Sequence, residues 1–200
     1  MAVRTPRGTA SRRRLLAAAA RELVERDGLL EVESVARRAG VSVGLIYRYF
    51  DSKAGLVGAV VEDFYDRYDR SVMEPNPAPG ADWPKRERER TARAVAFHYR
   101  EPLAPVVLSR LHLESGVAAI EARRLARHID AAARNLTLGQ ERGEISRELD
   151  VRLAGAMVLG GIRQGLAEAL GRRPRPAPEI VLEQLWRFIT AAVRFHGRDA

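Results

Sequence analysis

The chain has 200 residues, 46% of them apolar and none of them cysteine, with a formal net charge of +8 and a sequence pI near 10.6. That apolar fraction supports a packed core and excludes global disorder, and the lack of cysteine excludes disulfide and thiolate chemistry, as suits a reducing cytoplasm. The basic balance favours a polyanionic partner, nucleic acid or an anionic membrane surface, while the longest weakly polar run, Leu153 to Ile162, falls well short of the roughly 20 residues that cross a bilayer.

Helical periodicity runs almost from end to end, and no segment sustains an alternation of apolar and polar residues, so an all-α fold is expected. No secretory leader is expected, because Arg21 and Glu22 interrupt the short Ala-rich stretch near the N-terminus. A first helix, capped by Thr9 or Ser11, should run to about Asp27 and stop at Gly28, with Leu15, Leu16, Ala19 and Leu23 on its apolar face. Two short helices follow at about 32–39 and 43–49. A fourth starts after Ser52 and runs to about Met73, carrying Leu56, Val60 and Phe64 on one side. The run Pro75 to Gly80 cannot be helix interior, because each proline lacks a donor and clashes with the preceding turn.

Five more helices are expected beyond it: near 83–99, from Pro102 onward, over 117–142, over 151–170 behind an Asp150 cap, and over 179–196 up to Gly197. Charge is unevenly placed along this array. Residues 1–56 hold eleven Lys/Arg and six Asp/Glu, so just over a quarter of the chain carries +5 of the +8. Arg4, Arg7, Arg12, Arg13 and Arg14 form a basic arm that either follows phosphates into a minor groove or is a solvated tail.

The segment from Val32 to Phe50 carries the functional reading. Gly40 falls where two short helices must meet through a left-handed residue, a conformation open to glycine. Ala36 is small where the second helix must approach the first, and Val35, Ala39, Val41, Ile46 and Phe50 are spaced to bury the inner faces. Ser42 can cap the next helix, whose outer face then shows Val43, Gly44, Tyr47 and Arg48. This is the layout of a helix-turn-helix, which presents the N-terminal end of its second helix to the major groove. Ser52 and Lys53 then open another helix with free amides beside a lysine, a natural phosphate site.

The run Val35-Ala36, Ala39-Gly40-Val41-Ser42, Gly44, Ile46-Tyr47-Arg48-Tyr49-Phe50, Ser52-Lys53 and Leu56 resembles the DNA-binding signature of the TetR family of repressors, over roughly residues 9–60. The resemblance implies a nine- or ten-helix homodimer that binds a palindromic operator and is released when a small-molecule effector binds its C-terminal domain. It implies phosphate contacts from Tyr47 and Lys53, and base or backbone contacts from Ser42, Val43, Gly44, Arg48 and Tyr49. Arg12 and Arg13 join this DNA-binding set from the basic arm. Two residues depart from the family pattern: Val43 and Glu33 stand where many relatives have basic or polar side chains, and Val43 or Leu45 could meet thymine methyls instead. The division expected is a DNA-binding domain over 1–56 and a ligand-binding and dimerisation domain over 57–200.

In the second part, Gly155, Gly160, Gly161 and Gly165 interrupt one predicted helix at a cost of roughly 1 kcal/mol each against alanine, which points to close helix–helix approach. That helix and the last one are expected to form a four-helix dimer interface through Gly161, Gly165, Leu185, Trp186 and Ile189, though packing within one chain would use the same residues. Phe97, His98, Arg110 and His112 are the candidates for contacts with an effector. No cofactor or metal is expected: His98, His112, His128 and His196 form no ligand pair, and no phosphate loop, nucleophile elbow or dinucleotide fingerprint is present, so an enzyme is not expected. A transcriptional activator, or a DNA-binding protein without a switch, remains the alternative to a repressor.

Overall fold

The structure is a computed structural model that describes residues 6–75, 78–111 and 114–193. Every regular element among the described residues is helical: α1 (Pro6–Glu25), α2 (Val32–Ala39), α3 (Val43–Phe50), α4 (Lys53–Tyr68), a π-helical turn (Asp69–Met73), α5 (Trp83–Arg100), α6 (Ala104–Ser109), α7 (Ser115–Glu141), α8 (Val151–Gly171) and α9 (Pro178–Ala192).

Local chemistry accounts for most of these boundaries. After α1 the chain turns through Asp27 and Gly28 at φ 50° and 96°, where the Gly28 amide donates to Leu23 O at 2.8 Å. Asp82 caps α5 by accepting from the Lys85 amide, and Asp150 caps α8 by accepting from the Arg152 and Leu153 amides, both at 3.0 Å.

Three expectations are corrected. Thr9 and Ser11 lie inside α1 rather than capping it. Pro102 lies in a turn with Leu103, and α6 begins at Ala104 with Pro105 in its first turn, because a fixed φ suits a turn as well as a helix start. The α-helical part of α4 stops at Tyr68: the Glu74 amide reaches Asp69 O at 2.9 Å, five residues back, and the extra residue in that turn lets Asp69 face inward. α9 ends at Ala192, and Gly197 lies outside the described residues.

The contacts divide the chain into two compact units, 1–66 with 102–121, and 67–101 with 122–200, so the boundary falls inside α4 and inside α7. In the first unit α1, α2 and α3 close on α4 over a core of Leu15, Leu23, Val35, Ile46, Leu56 and Phe64, each shielded from solvent. Gly58 lets α4 meet Ile120 of α7, where a Cβ would stand 3.1 Å from Cδ1. In the second unit α5, α7, α8 and α9 surround Trp83, Leu136, Ile145, Ala154, Ile189 and Val193, with Trp186 packed against them.

Candidate functional site

α2 and α3 meet at Gly40, which takes φ 66° and ψ 41° and bonds its amide back to Arg37 O, while the Val41 amide bonds to Ala36 O. Ser42 then caps α3, its Oγ accepting from the Leu45 amide at 3.3 Å. With the turn set, Ile46 and Phe50 point into the core, Ala39 and Val41 are half-buried, and Ser42, Gly44, Tyr47 and Arg48 are exposed in one patch. Val43 and Tyr49 flank that patch half-buried. α2 is pinned from beneath by Glu22 of α1, a buried carboxylate that accepts from Ser34 Oγ at 2.8 Å and lies 3.4–3.5 Å from Arg26 and Arg38.

Two sets of basic residues stand out in this unit. Arg21, Arg26 and Arg38 are tied to Glu22, Glu25 and Glu31. The Arg38 bond to Glu25, more than desolvation opposes it, holds that carboxyl below its ordinary range, and Arg26 does the same to Glu31. Arg13, Arg14, Arg48 and Lys53 are exposed and form no ion pair among the described residues. Arg12 is half-buried, its guanidinium 5.5 Å from the centroid of the Phe50 ring, so part of the basic arm is anchored to the core beneath α3. The side chains of Arg4 and Arg7 lie outside the described residues.

Ser52 opens α4 by accepting from the Gly55 amide at 2.9 Å, leaving the remaining first-turn amides of that helix beside exposed Lys53. Gly55 is needed here for space: a Cβ on it would stand 2.0 Å from the carbonyl oxygen of Phe50, the last residue of α3. That contact seats the start of α4 directly against the end of the exposed helix. The exposed face therefore offers one long bidentate donor, Arg48, two hydroxyls and a bare glycine, bordered by cations able to meet phosphates.

In the second unit a cavity of about 360 Å³ opens between α5, α7, α8 and α9. Trp83, Ala94, Leu136, Ile162, Ile189 and Val193 form much of its apolar wall. Of the residues expected to contact an effector, Phe97, His98 and Arg110 do not border it. Phe97 and His98 stand one layer behind, their rings 5.4 Å from that of Tyr68, which does. His98 is buried, its Nδ1 donating to Ala94 O at 2.8 Å, and burial depresses its pKa against that bond, so it serves as a neutral packing group. Arg110 belongs to the first unit, where it is exposed and pairs with Asp27 at 2.9 Å. His112 lies outside the described residues. Trp83, an indole at the first position of an amphipathic helix in the stretch expected to enclose a ligand, does border the cavity.

The residues expected at a dimer interface are engaged within the chain. Trp186 stacks on Trp83 with ring centroids 6.1 Å apart, and Leu185 and Ile189 are buried. Gly161 and Gly165 admit α9: a Cβ on the first would stand 2.4 Å from Phe188 Cε1, and on the second 3.0 Å from Leu185 Cδ2. Gly155 likewise admits Ala132 of α7, but a Cβ on Gly160 would meet nothing among the described residues. What α8 and α9 leave outward is a different set, Leu153, Met157, Ile180 and Phe188, all large, apolar and exposed.

A family model described as "Bacterial regulatory proteins, tetR family" matches residues 15–60. No curated protein matches the chain. Among solved structures, a TetR-family transcriptional regulator from Rhodococcus sp. is 25% identical, covers 92% of this chain and 99% of its own, and superposes with a TM-score of 0.69. A TetR-family regulator from Syntrophomonas wolfei is 18% identical over 96% and 99% of the two chains, with a TM-score of 0.77. The regulator FadR from Bacillus subtilis, solved in complex with stearoyl-CoA, is 21% identical over 90% and 98%, with a TM-score of 0.73. Among the described residues no helix is long and apolar enough to cross a membrane, and no group of three or more His, Asp or Glu is placed to hold a metal ion.

Proposed function

We propose that this chain, a TetR-family transcriptional regulator by its N-terminal domain and its fold, is a repressor that binds a palindromic operator as a homodimer and leaves it when a small molecule fills the α5–α7–α8–α9 cavity. The chain is not read as an enzyme, since the family regulates transcription by binding DNA. The observation that carries the DNA-binding reading is the exposed α3 patch of Ser42, Gly44, Tyr47 and Arg48, bordered by Arg13 and Lys53, which form no ion pair among the described residues. Within 1–56, α3 enters the major groove, Arg48 reaches base edges, and Tyr47 and Lys53 hold phosphates on either side. Tyr49, half-buried, braces the helix and reaches the backbone, Val43 and Gly44 allow close approach to the groove floor, and Arg13 extends the phosphate contacts from α1.

Residues 57–200 supply effector binding and dimerisation. Phe97 and His98 set the position of Tyr68 at the cavity wall rather than meeting the effector, and Gly161, Gly165, Leu185, Trp186 and Ile189 shape the helix pair whose outer face receives the second subunit. The stearoyl-CoA in the FadR structure shows an acyl ligand in a protein of the same fold, which supports an effector with an apolar part.

Footprinting on fragments flanking the gene tests this reading, followed by retention assays with and without candidate effectors. Two protected half-sites about one helical turn or a small multiple apart are expected. Lys53→Ala should weaken binding to every sequence alike and lower the salt slope by roughly one unit per subunit. A change in preferred base at one operator position would remove Lys53 from the phosphate role, and protection of a single unpaired half-site would overturn the dimer.

A further inference from the structure

We infer that the effector is an amphipathic monoanion of about a dozen heavy atoms, its apolar body among Trp83, Ile162, Ile189 and Val193 and its anionic head at Arg134 and Asn135. This rests on the reading of the cavity as the effector site. The size follows from the volume: 360 Å³ holds on the order of twelve water-sized groups at ~30 Å³ each. It lies toward the small end of the ligand-pocket range.

The direction of the molecule follows from the burial gradient along the wall. Trp83, Ile189 and Val193 are almost wholly shielded from solvent, whereas Arg134 and Leu138 on α7 are exposed and border the same cavity. The deep end is therefore apolar and closed, and the mouth lies along one turn of α7.

The charge of the head follows from which polar groups at the wall are already satisfied. Glu87 accepts from Arg90, so those two neutralise each other. Thr91 Oγ1 donates to the Glu87 carbonyl at 2.7 Å. Of the carboxylates nearby that do not border the cavity, Asp69 is held by Arg124, Arg127 and His128, and Asp130, one turn before Arg134, pairs with Arg152. Arg134 has no carboxylate partner among the described residues, and the half-buried amide of Asn135 makes no hydrogen bond there. One uncompensated guanidinium, with a free amide on the next residue bordering the same cavity, favours a single carboxylate at the mouth. A cationic head would meet repulsion from Arg134 and no free acceptor of charge.

The protein supplies its own reporter. Its two tryptophans are Trp83, at the cavity wall, and Trp186, stacked on it. Titrate the full-length protein with decanoate, decanol and decyltrimethylammonium and follow tryptophan emission. Decanoate should bind on the order of tenfold more tightly than decanol, with the ammonium weakest, as expected for a charge-assisted fork at a half-open site. Arg134→Gln, at an exposed position, should erase the preference for decanoate while leaving decanol unchanged. Ala94→Leu, which fills the cavity, should weaken all three probes, with Ala131→Leu as a second filler if the first fails to fold by circular dichroism. Equal binding of decanoate and decanol, preference for the ammonium, or a decanoate preference that survives Arg134→Gln would overturn the inference while leaving the cavity reading intact. No response to any probe would remove both the inference and the cavity as effector site.

Discussion

At the scale of single residues, two groups away from the exposed face of α3 carry testable roles, one in each unit. Gly55 is the first. In an open helix, alanine in its place would gain about 1 kcal/mol from propensity. Here the added Cβ falls 2.0 Å from Phe50 O, a backbone atom that cannot swing aside, and overpacking of this kind costs typically 1–3 kcal/mol. The clash outweighs the propensity, so Gly55→Ala should lower stability by about 1–2 kcal/mol in urea unfolding. Operator affinity should fall further than that loss explains, because the start of α4, with Ser52 and Lys53, is pushed away from the end of α3. Unchanged operator affinity in the folded variant would show that this seating does not position the phosphate contacts.

The second group is Asp69, buried in the π-helical turn and held by Arg124 at 2.7 Å, Arg127 at 2.6 Å and His128 at 2.6 Å. Burial works against its charge, but the bonds from His128 and Arg124 outweigh burial, and its pKa lies below the ordinary value. The unfolded chain then binds the proton first as the pH falls. The contribution is complete above the ordinary aspartate pKa of about 3.9, and it is lost as the pH falls through the lower folded-state value. The difference in thermal midpoint between wild type and Asp69→Asn should be flat near neutrality and shrink as acid is added. A difference that grew on acidification would reverse the assigned direction.

At the scale of elements, the helix-turn-helix was legible because its requirements are local. Gly40 must be left-handed, Ser42 must cap, and Ile46 and Phe50 must face one way, so α2 and α3 emerge with boundaries within a residue of those expected. Elsewhere the sequence is less legible, because the deciding partner is remote in the chain. The α8 glycines announce close approach, but periodicity names a face and not what covers it. Phe188 and Ala132 cover Gly161 and Gly155, both from the same chain. Likewise Phe97 and His98 look like pocket residues until Tyr68 is seen in front of them. Gly160 separates the two kinds of cover, since nothing among the described residues approaches it. Gly160→Ala should raise helix stability by up to ~1 kcal/mol yet weaken self-association, because the added methyl enters the proposed interface. Gly161→Ala must displace the Phe188 ring and should lose that gain. Equilibrium ultracentrifugation and urea unfolding of both variants separate the effects, and undiminished self-association in Gly160→Ala would place the interface elsewhere.

At the scale of the whole molecule, the proposed operator binding and self-association are one free-energy problem. Single exposed apolar side chains are ordinary on protein surfaces. Leu153, Met157, Ile180 and Phe188 are instead gathered on two packed helices, the pattern of a surface meant to be covered. A helix-turn-helix reading a palindrome needs its copy placed by two-fold symmetry. Once one subunit holds its half-site, the second binds at an effective concentration set by the tether, which can raise affinity by about 10²–10⁴ without any new contact. Leu153→Glu combined with Met157→Glu tests the linkage. Both positions are exposed in the protomer, so the fold should keep its thermal midpoint, while two carboxylates facing two more across the symmetry axis should leave a monomer at micromolar concentration. Operator affinity should then fall by roughly two orders of magnitude or more, and the salt slope should drop to about half, since one subunit releases half the counterions. A variant that stays dimeric would move the interface off the α8–α9 face. A monomer that holds the operator as tightly as the wild type would separate self-association from DNA reading altogether.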